Sequence, residues 1–373
     1  MQTNDSQVHI TLIPETDFNR RTSEGKQISL FTIEKGNVTM QITNFGARII
    51  SMFVPDKTGR PDDIVVGYDD IDRFLENTGE RFFGATVGRV ANRIGGGKMC
   101  IDGKTYPLPQ NDNSNTLHGG LKGIDLVVWD VMEHSADSLT LHYLAPDMQD
   151  GFPGNLDITL TFSLTDDGAL DLRYRASTDR TTPVNLSQHA FFNLKGARNG
   201  GTILDHNLTI LADAITPIDS SLIPTGELMS VDGTPFDFRT AHRIGERIQE
   251  DNEQLSCGNG YDHNWVLNNW KKGDTKMSVR KVCELSEDST GRIMEIFTDQ
   301  PGLQFYCGNF FNGSYSGKAG TGPIGYREAL ALETQMFPDS VNHPDFPSTL
   351  LHPGEIYTQH TVYKFGTKDR NRP

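Results

Sequence analysis

The chain has 373 residues, enough to bury a large core in one big domain or two of medium size. Its 34 lysines and arginines against 49 aspartates and glutamates give a formal net charge of −15, which disfavours nucleic acids and anionic membranes as partners. No apolar run approaches the roughly 20 residues needed to cross a bilayer, so we expect no membrane span.

The first residues and the cysteines indicate the compartment. The start, M-Q-T-N-D-S-Q-V-H, lacks the basic and apolar regions of a secretory signal. Four cysteines are widely spaced, with neither a C-x-x-C pair nor a histidine spacing typical of zinc sites: Cys100, Cys257, Cys283 and Cys307. We therefore expect reduced thiols and a cytoplasmic protein, with a periplasmic or extracellular location open if a signal has been removed.

In chain order, the confidently patterned elements are strands. Alternating apolar and polar residues predict a strand at 139–143 and another at 156–164. After the turn at 166–168, D-D-G, the alternation resumes at 170–176, which predicts an antiparallel hairpin. A last strand is predicted from Tyr357 to Phe365, where threonines and aromatic residues dominate.

Helical spacing is short by comparison, at 71–75 and at 241–248. Thirty-seven glycines and eighteen prolines are typical of a protein with many turns. Neither the strand–helix alternation of a parallel sheet nor a repeat is present. The sequence predicts an all-β fold of large antiparallel sheets with a few short helices. We expect a single domain over residues 1–373, in which 1–25 form a peripheral segment.

Two histidines stand in informative settings. His118 lies in T-L-H-G-G, and Gly119 and Gly120 predict that it projects from a tight turn. His189 lies in the alternating run N-L-S-Q-H-A-F-F-N-L, which predicts a strand with His189 on one face. A lone strand histidine is more often a core residue than a catalyst, but His189 has polar neighbours in Asn185, Gln188 and Asn193, so both interpretations stay open at this point.

Glu333 opens the stretch E-T-Q-M-F-P-D-S-V-N-H-P-D-F-P. Because proline fixes φ and removes a backbone donor, the stretch predicts an ordered loop, neither helix nor strand, with Glu333 at its start. A carboxylate on a rigid loop can serve as a general base. Taken alone, a surface glutamate is the simpler interpretation.

Seven segments occur in the order and rough spacing of one known family: N-F-G-A-R-I-I-S, G-R-V-A-N-R-I, T-L-H-G-G, N-L-S-Q-H-A-F-F-N-L, G-Y-D-H, P-G-L-Q-F-Y-C-G-N-F and the Glu333 stretch. From about Asn44 to Phe365 the chain resembles the aldose 1-epimerases, or galactose mutarotases. The resemblance implies a large antiparallel β-sandwich of the galactose mutarotase-like supersandwich type. It also implies an enzyme that interconverts the α and β anomers of free hexoses such as D-galactose and D-glucose.

The resemblance further implies residue roles. Glu333 is expected to be the general base at the C1 hydroxyl, and His189 the general acid at the ring oxygen. Five residues are expected to bind substrate: His118, Asp262, Arg93, Asn92 and Gln304. Ring opening needs one acid and one base but no metal or organic cofactor, so none is expected. The expected partner is a small aldose, and the expected state is a monomer or weak homodimer.

Two residues depart from the family pattern. Phe191 stands where a tyrosine is usual, and Cys307 where a threonine is usual. Neither is a proposed proton carrier, so these changes bear on sugar preference rather than on chemistry.

Alternative interpretations remain. A hexose 6-phosphate 1-epimerase would require a cluster of cations, for which Arg89 and Arg93 are partial candidates. A non-catalytic sugar-binding module would be expected to lack the acid or the base. For single residues, Asp262 is also interpretable as a loop cap and Arg93 as a surface ion pair.

Overall fold

The computed structural model describes residues 10–198, 201–318 and 321–368. Within them, three antiparallel sheets hold most of the strands. The nine-stranded sheet contains, in spatial order, Asp130–His134, Ser138–Ala145, Leu156–Leu164, Ala169–Thr178, Tyr357–Thr367, Arg292–Thr298, Arg280–Ser286, Asn207–Ile210 and His242–Arg243. The seven-stranded sheet contains Met229–Ser230, Ala212–Thr216, Asp262–Leu267, Gly302–Tyr306, Leu330–Gln335, Phe191–Phe192 and Val65–Val66. The four-stranded sheet contains Leu30–Lys35, Val38–Thr43, Arg48–Pro55 and Pro61–Asp63.

Short elements complete the described part of the chain. The paired strands are Arg20–Arg21 with Gln27–Ile28, Ala85–Val87 with Ser187–His189, Arg93–Ile94 with Thr116–Leu117, Lys98–Ile101 with Lys104–Pro107, Thr182–Pro183 with Leu350–Leu351, and Tyr315–Ser316 with Pro323–Ile324. The α-helices are Ile71–Glu76 and Glu253–Gly258. The 3₁₀ turns are Glu15–Phe18, Gly95–Gly97, Ile124–Leu126, Gln149–Gly151 and Ser340–Asn342. The predicted all-β fold class is confirmed.

The seven-stranded sheet has one apolar face and one polar face. Leu303, Phe305 and Leu332 alternate onto the face that joins the main hydrophobic core. The nine-stranded sheet covers this face, since the hydroxyls of Thr334 and Thr361 lie 2.7 Å apart and Tyr363 Oη donates to the carbonyl of Leu332. The two sheets therefore pack as a sandwich, and the other face of the seven-stranded sheet is left to carry polar side chains.

The predicted strands and the predicted turn agree with the structure. Leu156–Leu164 pairs with Ala169–Thr178 in the expected hairpin, and the last strand runs over Tyr357–Thr367. The helix-like spacing at 241–248 is wrong as a helix prediction. His242–Arg243 is instead an edge strand. The next residue continues this pairing with a distant segment, because Ile244 N donates to His206 O. Its periodicity arises from burial of Ile244 and Ile248 in a turn-rich segment.

Part of the predicted peripheral segment 1–25 lies outside the described residues, namely 1–9. In the described part, Phe18 is fully buried and its ring centroid lies 6.3 Å from that of Phe74. The backbone of Ile13 exchanges two hydrogen bonds with the side-chain amide of Gln41. Among the described residues, no helix has the length and apolar character required to cross a bilayer.

Candidate active site

Glu333 lies in the middle of a strand, Leu330–Gln335, so the prediction of a loop at this residue is wrong. The first proline of the stretch, Pro338, restricts only itself and the residue before it, which leaves L-A-L-E-T-Q free to alternate. Leu330 and Leu332 face the core, and Glu333 faces the polar side of the sheet, opposite Gln304 on the neighbouring strand. The sheet thus buries the Glu333 carboxyl, whose side chain is only 2% exposed.

His189 lies on a strand, as predicted, but the predicted alternation does not run unbroken to Asn193. Ser187–His189 pairs with Ala85–Val87, whereas Phe191–Phe192 joins the seven-stranded sheet and pairs Phe191 with Ala331. The chain changes sheets at Ala190. This crossing brings Nε2 of His189 to 3.6 Å from Oε1 of Glu333.

His118 projects from the predicted turn, with φ +48° and a backbone hydrogen bond from Gly120 N to Leu117 O. Its ring is nearly perpendicular to that of His189, with centroids 5.0 Å apart. The backbone N–H of Asn92 donates to Nδ1 of His118 at 3.1 Å. A backbone amide cannot accept a proton, so a neutral His118 must carry its hydrogen on Nε2. His118 is therefore fixed as a hydrogen-bond donor toward other groups.

Asp262 begins the strand Asp262–Leu267 and is buried, so the alternative of a loop cap is wrong. Nε2 of Gln304 donates to Oδ1 of Asp262 at 2.7 Å. Arg93 is also buried rather than a surface residue: its Nε pairs with Asp112 at 2.7 Å, and its Nη1 lies 3.9 Å from Asp262 Oδ2. These contacts hold the Asp262 carboxyl in one orientation.

These side chains surround one solvent-open cavity. Six of the seven predicted site residues line it: Asn92, Arg93, His118, His189, Asp262 and Glu333. Gln304 is absent from the lining and instead supports Asp262 from beside it. The role of each residue stays a prediction.

The sequence interpretation missed six lining residues: Glu80, Phe82, Leu117, Phe310, Tyr306 and, as a site residue, Phe191. Period-two spacing was a usable signal for one of them. Tyr306 follows Gln304 by two positions in one strand, so the alternation of a strand places it on the same face. Phe310 is half exposed at the rim and stacks on Tyr306 with ring centroids 5.9 Å apart. For Glu80 and Phe82 the local sequence carries no such signal.

Burial sets the protonation of the central pair. Burial raises the pKa of Glu333 well above its ordinary value, and the nearby charge of Asp262 adds to the rise while Arg93 opposes it. Burial lowers the pKa of His189 to about 4. In the free protein the single proton of the pair therefore resides on Glu333. Burial also lowers the pKa of His118 well below its ordinary value, which keeps that ring neutral.

His118, His189 and Glu333 place their donor atoms within 4.8 Å of one another, a grouping that invites comparison with metal sites. A metal-bound imidazole ordinarily donates its second N–H to an acceptor. The neighbour of Nδ1 in His118 is instead a donor, the N–H of Asn92. The grouping therefore suits hydrogen bonding to an oxygen-rich ligand better than metal binding.

Comparison with known proteins identifies the family. The family model described as aldose 1-epimerase matches residues 29–364. The chain belongs to the aldose 1-epimerase family. It is 41% identical to a galactose mutarotase from Bos taurus over 91% of this chain and 94% of that protein. It is 36% identical to an aldose 1-epimerase from Escherichia coli, over 92% of this chain and 96% of that protein. A crystal structure of an aldose epimerase homologue from C. elegans superimposes with a TM-score of 0.82 and 30% identity, covering 92% of this chain and all of the other.

The two departures from the aldose 1-epimerase pattern differ in position. Phe191 lines the cavity, and its buried ring lies 4.8 Å from that of His189. Cys307 does not line it: its Sγ lies inside the protein, 2.9 Å from Asn309 Oδ1 and 3.3 Å from the carbonyl oxygen of Tyr261. Of the two, Phe191 is thus the one placed to affect sugar preference.

Proposed function

We propose that this aldose 1-epimerase interconverts the α and β anomers of neutral free hexoses, with D-galactose and D-glucose as natural candidates. The observation that carries the proposal is the pairing of His189 with Glu333 at 3.6 Å on the wall of one cavity. The names of the relatives, galactose mutarotase and aldose 1-epimerase, support the same proposal. A sugar bound against these two groups would place its C1 hydroxyl and its ring oxygen, both bonded to C1, next to a base and an acid.

In the proposed mechanism, Glu333 takes the proton of the C1 hydroxyl while His189 gives a proton to the ring oxygen. The bond between C1 and the ring oxygen breaks, and C1 becomes an aldehyde carbon. Rotation about the C1–C2 bond presents the other face of the aldehyde. Ring closure returns the ring-oxygen proton to His189 and the Glu333 proton to O1, which gives the other anomer.

The proton count of the pair agrees with this scheme. Ring opening converts a carboxylate and an imidazolium into a carboxylic acid and a neutral imidazole, with one proton on the pair throughout. Burial favours the second of these states, because it raises the pKa of Glu333 and lowers that of His189. The pocket therefore favours the protonation state that accompanies the open-chain aldehyde, an intermediate that is otherwise unfavourable.

The remaining residues are proposed to bind the sugar. His118, fixed as an Nε2 donor, is placed to donate a hydrogen bond near the ring oxygen. Asp262, held by Gln304 and facing Arg93, is placed to accept hydrogen bonds from hydroxyls remote from C1. Asn92 contributes through its backbone, which sets the tautomer of His118 and begins the turn toward Arg93.

The contacts of the arginines disfavour a hexose 6-phosphate as substrate. Arg89 is buried, and its guanidinium donates four hydrogen bonds to carbonyls, those of Pro153, Gly154, Ala145 and Pro146. Arg93 is paired with Asp112. Neither offers an unpaired cation to a phosphate, and no lysine lines the cavity among the described residues.

We propose a cytoplasmic location, which the four free thiols support. A monomer or weak homodimer, the absence of a cofactor and the single domain remain predictions.

Polarimetry tests the proposed function directly. Freshly dissolved α-D-galactose loses optical rotation spontaneously, and the purified protein is expected to accelerate this change in proportion to its concentration. Heat-inactivated protein provides the control. A rate equal to the spontaneous rate for galactose and for glucose would refute the proposal, and acceleration confined to glucose 6-phosphate would replace it with the phosphate alternative.

A further inference from the structure

Glu80 is a third carboxylate in the cavity, beside Asp262 and Glu333. Two hydrogen bonds fix its position: its Oε1 accepts from the N–H of Phe82 at 3.0 Å, and its own N–H donates to Tyr68 Oη at 2.9 Å. Its second oxygen, Oε2, makes no hydrogen bond or ion pair with any described residue. Glu80 therefore holds one free acceptor oxygen at the cavity.

Glu80 lines the cavity together with Glu333, Tyr306 and Phe310. Its hydrogen bond from the N–H of Phe82 fixes it beside a residue whose ring lies 4.6 Å from that of His118. A pyranose whose C1 is held at Glu333 therefore shares the cavity with the Glu80 carboxylate.

The charges around the cavity are mainly negative. The guanidinium that lines it, that of Arg93, is already paired with Asp112 and faces Asp262. Arg81, the residue after Glu80, is paired with Asp125 through Nε and Nη2. A carboxylate or phosphate on a sugar placed here would meet Glu80 without a free cation to offset the repulsion.

We propose that Glu80 is a specificity-determining residue of this enzyme. It accepts a hydrogen bond from a hydroxyl of the bound sugar and rejects aldoses that carry a negative charge. This inference rests on the proposed function for the identity of the ligand. Rejection by an unfavourable contact is a common way for a site to discriminate between otherwise similar ligands.

The test compares D-galactose, D-galacturonate and D-galactose 6-phosphate in polarimetric assays of wild type, Glu80→Gln, Glu80→Asp and Glu76→Gln. Glu76 is an exposed carboxylate at the end of the preceding helix, so Glu76→Gln removes the same charge outside the cavity. We expect Glu80→Gln to raise KM for galactose about 10-fold, since hydrogen bonds to charged groups contribute about 1.5–3 kcal/mol. We also expect it to narrow the discrimination against both anionic sugars by about 10-fold or more.

Glu80→Asp keeps the charge but shortens the side chain, so it is expected to weaken galactose binding while still rejecting the anions. Glu76→Gln is expected to match wild type with every sugar. Unchanged KM and unchanged discrimination in Glu80→Gln would overturn the proposal, as would equal effects of Glu80→Gln and Glu76→Gln.

A binding measurement separates this proposal from the proposed function. Methyl β-D-galactoside cannot open its ring, so calorimetric titration with it reports contacts alone. Weaker binding to Glu80→Gln than to wild type supports the contact even if wild type accelerates no mutarotation. Equal binding to both proteins refutes the contact even if wild type is an active mutarotase.

Discussion

The side chains of His189 and Glu333 meet beside the point where the chain crosses from one sheet to another. Phe191 pairs with Ala331, whereas Ser187–His189 pairs with Ala85–Val87. The two side chains meet at 3.6 Å even though their strands belong to different sheets. The acid–base pair is therefore held by two strands that meet at the sheet crossing, which is a rigid way to hold two groups side by side on the wall of a cavity.

The pKa values predict an unusual pH dependence. Between the lowered pKa of His189, about 4, and the raised pKa of Glu333, the pair holds the one proton that the mechanism requires. Below about 4 the pair gains a second proton, and Glu333 can no longer accept one. Above the pKa of Glu333 the proton is lost, and none is left for the ring oxygen. We expect kcat/KM, corrected for the spontaneous rate at each pH, to show no fall on the acid side until the pH is below about 5. An acid limb at the ordinary histidine value of about 6.5 would contradict this account.

Asp262→Ala is expected to act mainly on substrate binding. Loss of a charged acceptor should raise KM by about 10–100-fold and change kcat less, since Asp262 accepts hydrogen bonds from hydroxyls that do not react. Steady-state polarimetry over a range of galactose concentrations measures both constants. Asp157→Ala, an exposed carboxylate on the nine-stranded sheet, serves as the control. A normal KM in Asp262→Ala would remove Asp262 from the binding site.

Gly119 is predicted to be irreplaceable because of space as well as conformation. A Cβ at this residue would lie 1.8 Å from the carbonyl oxygen of Gly88, and its φ is +89°. Gly103 has a similar φ of +74° but nothing within 4 Å of the added atom. Gly103→Ala therefore reports the conformational cost alone, about 1–2 kcal/mol. Denaturant unfolding is expected to show a clearly larger loss in the free energy of unfolding for Gly119→Ala. Activity is also expected to be lost, because the turn positions His118. Equal losses in the two variants would show that the turn can relax.

Arg89 is predicted to stabilise the fold rather than to bind a ligand. Arg89→Ala leaves several buried carbonyls without a donor, each at a cost of about 1–3 kcal/mol, so a total loss of at least about 3 kcal/mol in the free energy of unfolding is expected. Arg173→Ala, at an exposed arginine, is expected to change stability little. A stable Arg89→Ala protein would argue that these hydrogen bonds contribute little.

The sequence predicted the fold class because alternation and turn residues are local signals. The hairpin at 156–178 and the turn at His118 follow from side-chain pattern and from glycine alone. The four prolines that follow Glu333 predict a loop, yet the strand that holds Glu333 ends before the first of them. The helix prediction for residues 241–248 was wrong for a different reason. Buried apolar residues in successive turns there have the spacing of a helix.

The composition of the cavity depends on pairings that are distant in the chain. The meeting of His189 with Glu333 requires the crossing at Ala190 and the pairing of Phe191 with Ala331, neither of which a single sequence specifies. Family resemblance supplied these residues where pattern did not. Neither the side-chain pattern nor the family resemblance indicated Glu80 and Phe82. Their loop reaches the cavity only once the strands have folded.

The most direct test of the account is polarimetry of Glu333→Gln with α-D-galactose, alongside calorimetric binding of methyl β-D-galactoside. The amide preserves shape but cannot take a proton, so kcat is expected to fall by about 10²–10⁴-fold while binding stays near that of wild type. Mutarotation at a rate close to that of wild type would contradict the proposal that Glu333 and His189 exchange a proton through the anomeric centre.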